Sequence, residues 1–86
     1  MFRRRFIDKE QRQRFGSIIR EEQKTLGLTQ EDLAGILNCS PHWIANIESG
    51  ISNPTWLDAL RLIRALNLDA GKILDLVEGR VPEASN

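Results

Sequence analysis

Eighty-six residues, 41% of them hydrophobic and 28% charged, make a single globular domain, and a chain this short buries only roughly 60 to 65% of its unfolded surface, so its core must be economical. Twelve basic side chains balance twelve acidic ones, which removes the overall attraction of a strongly basic nucleic-acid binder and leaves only local charge asymmetry to act. A lone Cys39 cannot form an internal disulfide, Cys39 and the lone His42 do not make a metal-ligand set, and no apolar run is long enough to span a membrane.

Residues 1–8 hold Arg3, Arg4 and Arg5 with no apolar periodicity and are expected to form a basic, mobile arm. With Lys9, Arg12, Arg14, Arg20 and Lys24 they make the amino-terminal part the basic pole, although such a run can equally be a solvated or partner-binding segment. The compact domain is expected over 9–79, and 80–86 as a frayed tail. A first helix begins after Asp8, whose carboxylate can cap with Gln11 three residues on, and ends near Leu26 and Gly27. Phe15, Ile18 and Ile19 share its inner face, continued by Leu26 and interrupted by Glu22. Thr29 and Asp32 are the next capping pair, with Leu28 able to staple onto Leu33, so a second helix starts at Gln30 and carries Leu33, Ala34, Ile36 and Leu37. Asn38 tolerates the left-handed backbone that ends it.

Ser40 caps a third helix, Pro41 suits its first position because its missing donor would be unpaired anyway, and small Cys39 can staple onto Ile44. Gly50 stops this helix, and Ile51, Ser52, Asn53 and Pro54 form a loop. Thr55 and Asp58 then open a fourth helix from Trp56 to Leu66, so apolar that it reads as the central core helix, with Trp56 inside. After Asn67, the pattern Leu68, Asp69, Ile73 opens a fifth helix that reaches about Glu78. The expectation is an all-α, compact five-helix fold with no strand.

Across residues 29–49, small Ala34 falls four residues after Gln30, Asn38 eight, Ile44 fourteen and Ile47 seventeen. Two helices crossing steeply over a short turn need a small residue at the contact and inward apolar residues on the second helix. Gln30, Ala34, Ile44, Ile47, Glu48 and Gly50, followed by Pro54 and an apolar helix, resemble the helix-turn-helix of the lambda-repressor-like phage and bacterial regulators, over about residues 15 to 77.

With Ile44 and Ile47 inward, Pro41, His42, Ala45 and Asn46 lie on the outer side of the third helix and Trp43 flanks them. The resemblance implies that this outer face meets base edges in the major groove of double-stranded DNA, where Asn46 can bond adenine bidentately and His42 can donate to a purine acceptor. It also implies that Gln30 contacts phosphate and braces the reader, and that Glu48 is braced from the first helix, where the matching position is Gln23; a hydrogen bond then replaces an ion pair. Trp43 lies against the sugar-phosphate backbone or covers the helix junction. Each of these residues also has an ordinary reading as a solvated helix residue.

The reader carries no Lys or Arg and the loop after Gly50 is not basic, so one copy should bind weakly, with phosphate contacts left to Arg3, Arg4, Arg5, Arg12, Arg14 or backbone amides. The implied protein is a sequence-specific DNA-binding regulator of transcription, repressor-like, with an autoregulating antitoxin as one subtype. It needs no cofactor and is not an enzyme, since Ser40, His42 and the acids show no nucleophile-and-base arrangement. Its expected place is the cytoplasm of a prokaryote, or a phage or plasmid-borne gene. Excess apolar residues in the last helix, Ile73, Leu74, Leu76 and Val77, suggest a homodimer. The alternative is a protein-interaction module that keeps the frame and binds another regulator.

Overall fold

The computed structural model describes residues 8–78; the arm with Arg3, Arg4 and Arg5 and the tail 80–86 lie outside them. Five helices follow in order: α1 Lys9–Thr25, α2 Gln30–Leu37, α3 Pro41–Glu48, α4 Trp56–Ala65 and α5 Ala70–Glu78. Among the described residues there is no strand, and no helix is long and apolar enough to cross a membrane.

Local capping chemistry sets most of the boundaries. The Asp8 carboxylate accepts from the Gln11 amide at 2.8 Å. Thr29 and Asp32 form a reciprocal capping box, with bonds of 2.9 Å in both directions. Ser40, Thr55 and Asp69 each accept from the amide three residues on, satisfying donors that the first helical turn leaves open. Asn38 and Asn67 end α2 and α4 with left-handed backbones, both at φ 57°, a conformation that asparagine adopts more easily than bulkier residues.

The core is built from Phe15 and Ile19 of α1, Leu33 and Leu37 of α2, Ile44 and Ile47 of α3, Leu62 of α4 and Leu66 just after it, and Ile73 and Val77 of α5. Five expectations need correction. Leu26 follows the last turn of α1, where Gly27 reverses the chain at φ 72° and carries it into solvent; the inner face of α1 continues instead through buried Gln23, four residues after Ile19. Ile36 lies on the outer side of α2 and is exposed.

The fourth helix is one-sided rather than central. Ala59, Leu62 and Ile63 face in, but Leu57, Arg61 and Arg64, at i, i+4 and i+7, form an outer stripe, and Trp56 is only half-buried outside the core. On α5, Ile73 and Val77 belong to the protein's own core, leaving only Leu76 exposed and Leu74 half-buried.

Candidate nucleic-acid interface

Helix α3 is held from inside and free outside. Ile44 and Ile47 are 0% and 1% exposed. Against this side α1 presents Gly16, where a Cβ would stand 2.3 Å from the Ile47 carbonyl oxygen and 2.5 Å from that of Glu48. The backbones of α1 and α3 therefore touch, and only glycine permits it. Nothing in the helical pattern of α1 marks this position as a contact.

The carboxyl end of α3 is fixed by the Asn46 carbonyl, which accepts from the amides of Ile51 and Ser52 at 3.0 and 3.1 Å and from Ser49 Oγ at 3.2 Å. Gly50 turns the chain at φ 81° and packs against Gln13, while Arg12 Nε donates to its carbonyl at 3.3 Å. These bonds fix the backbone that carries Asn46, so its side chain leaves from a rigid point.

On the outer face Pro41 and His42 are exposed, and Ala45 and Asn46 half-exposed. Neither His42 nor Asn46 uses a side-chain hydrogen bond within the described residues. Their donors and acceptors remain available to a partner. Two polar groups one helical turn apart on an eight-residue helix fit the width of a major groove and can address neighbouring base pairs.

The partner of Glu48 differs from the expectation. Glu48 is buried, and its Oε1 accepts from Gln30 Nε2 at 3.0 Å, eighteen residues away in sequence. Gln23 makes no such bond; its Oε1 is buried without a partner among the described residues, as is Glu48 Oε2. The amino end of α2 thus takes the bracing role assigned to α1, because the Gln30 side chain reaches the last turn of α3 across the crossing of the two helices. Ala34 is buried at that crossing.

Two arginines expected as phosphate contacts also bond within the protein. Arg12 closes the turn at Gly50, and Arg14 donates to the Val77 carbonyl at 2.8 Å while pairing with Glu10 at 3.1 Å. Both satisfy carbonyls at helix ends, where cations are favoured. Arg61 does the same for α2, donating to the Leu37 carbonyl at 2.6 Å. From sequence it reads only as an outer-face charge.

Trp43 is half-buried and packs against the core. With Leu37, Cys39, Ser40, Asp58 and Arg61 it lines a cleft of about 320 Å³ between the turn and α4, which favours the junction-covering reading. Burial pushes the Cys39 thiol up from its ordinary range; the Arg61 charge draws it back and the Asp58 charge adds to the rise. Cys39 packs against the core as a small residue.

Residues 14–76 match a protein family described as helix-turn-helix domain. Over 50 residues the chain is 42% identical to an uncharacterised HTH-type transcriptional regulator of Methanothermobacter thermautotrophicus, a stretch that is 58% of this chain and 72% of that protein. Among solved structures, the wild-type restriction-modification controller protein C.Esp1396I is similar with a TM-score of 0.70 at 20% identity, covering 87% of this chain and 96% of that one. A point mutant of the same controller gives 0.65 at 24%, covering 80% and 92%. At these identities the likeness to the two structures is one of fold.

Proposed function

This chain belongs to the helix-turn-helix domain family, and we propose that it is a sequence-specific DNA-binding regulator of transcription acting as a homodimer. The observation that carries the reading is the two-sided construction of α3, whose inner side is locked against α1 and α2 while His42 and Asn46 keep their hydrogen-bonding groups free on the outer side. In this reading Asn46 bonds an adenine, His42 a neighbouring purine acceptor, and Pro41 and Ala45 give close apolar contact. The second N–H of the Gln30 amide serves a phosphate, and Trp43 holds the turn while its exposed edge meets the backbone. Repression then follows from occupying a promoter, and an autoregulating antitoxin is one form of such a regulator.

Phosphate contacts are few. Arg12 and Arg14 each give guanidinium donors to helix ends, so much of the electrostatic share falls to Arg3, Arg4 and Arg5 and to two copies acting together. A homodimer with half-sites about one DNA turn apart, roughly 34 Å, supplies that second copy. Leu76 beside Ile18, in the groove between α1 and α5, is the apolar surface left for it.

Selection of bound duplexes from a random pool tests the proposal. A palindromic consensus is expected, and recovery of unbiased sequence would end it. A second reading, a module that binds another regulator, is favoured by one observation: Ile51 is 72% exposed in the loop that follows the reader, where the resembling regulators are often basic.

A further inference from the structure

The cleft between the turn and α4 is lined by opposite charges that form no ion pair with each other. Asp58 and Arg61 both border it, one helical turn apart on α4, and neither has an ion-pair partner within 4.0 Å among the described residues. One guanidinium N–H of Arg61 is committed to the Leu37 carbonyl at 2.6 Å. A guanidinium carries five N–H donors in a planar fork, so four remain, and the Asp58 carboxylate receives no hydrogen bond from the described residues. Leu37 and half-buried Trp43 supply apolar wall, with Cys39 and Ser40 at the turn. The volume, about 320 Å³, stands at the lower end of the roughly 300 to 1,000 Å³ that holds whole small-molecule ligands.

We infer that this cleft binds a small zwitterion of the α-amino acid class carrying an apolar side chain. Its carboxylate takes the open side of the Arg61 fork, its ammonium bonds Asp58, and its side chain lies on Leu37 and Trp43. A purely anionic ligand would face Asp58 and a purely cationic one Arg61; only a molecule with both charges pairs both groups. Cys39 borders the same cleft, beside both charged groups. The position gives the ligand a consequence. Ser40 caps α3 and Trp43 lies within it, whereas Asp58 and Arg61 belong to α4. A ligand spanning the two clamps the reader helix to the frame, so its affinity is linked to that of any partner of α3.

The first measurement is made on the full chain without DNA, so that its outcome is independent of the DNA-binding reading. Thermal unfolding is followed with L-leucine and L-phenylalanine, alongside L-leucinamide, which lacks the carboxylate, and N-acetyl-L-leucine, which lacks the ammonium. A saturable rise in melting temperature is expected with the two amino acids only, about 5 to 10 °C at tenfold excess over Kd. Fluorescence of Trp43 in a Trp56→Phe background should change with the same midpoint. Asp58→Asn, which keeps the backbone cap, and Arg61→Gln, which removes the guanidinium fork, should each weaken binding at least about tenfold while remaining folded by circular dichroism. The proposal is overturned if neither amino acid gives a saturable shift, if the amide or the acetyl derivative works as well, or if both variants respond like the wild type, which is general solvent exclusion.

Discussion

Replacing Gly16 by alanine tests whether the reader helix is positioned by direct backbone contact with α1. Alanine is the better helix former by about 1 kcal/mol, so on helical propensity alone the change should stabilise the protein. The added Cβ would stand 2.3, 2.5 and 2.8 Å from Ile47 O, Glu48 O and Glu48 C, all backbone atoms that cannot rotate away. Relief requires α1 and α3 to separate by about 1 Å, and a gap of that size forfeits a quarter to a half of the dispersion attraction across it. Phe15 and Ile19, both 0% exposed, lie on α1 within one turn of Gly16. Overpacking costs about 1 to 3 kcal/mol, and rigid backbone on the far side places this site at the upper end. Three against one leaves a loss of about 2 kcal/mol, or about 8 to 16 °C in melting temperature for a domain of this size. Gly35→Ala is the control: it lies within α2, exposed, and its Cβ meets nothing within 4 Å, so it should gain about 0.5 to 1 kcal/mol. Far-UV circular dichroism melts of the two variants decide the matter. A Gly16→Ala protein that melts as high as wild type, or that gains like Gly35→Ala, would show that the contact is not close enough to set the position of α3.

The reader assignment makes Asn46→Ala nearly silent in stability, within about 0.5 kcal/mol, yet about 1 to 3 kcal/mol poorer in discriminating one base per half-site, as read by titrating selected and single-substituted duplexes. Deleting residues 1–5 should weaken binding to every duplex and flatten the slope of log affinity against log salt by about 0.9 for each phosphate that the arm neutralises; an unchanged slope means that the arm is idle. Sedimentation equilibrium should show a dimer that Leu76→Glu dissociates, since it places a charge on the exposed apolar surface of α5 without touching buried Ile73 or Val77; a monomer in the wild type, free and on DNA, removes the two-copy account.

How much was legible followed the range of each interaction. Caps act over three residues, so Asp8, Thr29, Ser40, Thr55 and Asp69 announce their helices in sequence, as Asn38, Gly50 and Asn67 announce the ends. The outward set on α3 was equally readable, because inward Ile44 and Ile47 fix the helix phase. What escaped spans longer separations. Arg12, Arg14 and Arg61 close helix ends 38, 63 and 24 residues away, and an arginine on a helix reads only as a solvated charge until its carbonyl is known. Gly16 was invisible for the same reason. Excess apolar content misled in the other direction: Trp56 and Leu57 made α4 look like the central core helix, although Arg61 and Arg64 already marked the outer stripe.

The brace on Glu48 separates two roles that the sequence combined in Gln30. A buried carboxylate bonded through one oxygen loses that bond in Gln30→Ala, and leaving it unsatisfied costs about 1 to 3 kcal/mol. Such a loss would loosen α3 and weaken DNA binding without any phosphate contact, so the single variant cannot distinguish the roles. The Gln30 amide nevertheless has two N–H donors, one for Glu48 and one that can reach a phosphate at the same time. In a Glu48→Met background the carboxylate is replaced by an apolar group of similar shape and there is nothing to brace. Gln30→Ala should then cost little stability and still lower affinity for selected and scrambled duplexes alike, the mark of a contact to the backbone and not to a base. Equal affinity of Glu48→Met with and without Gln30→Ala would confine Gln30 to bracing, and the phosphate beside α2 would have to be held by backbone amides at the amino end of that helix.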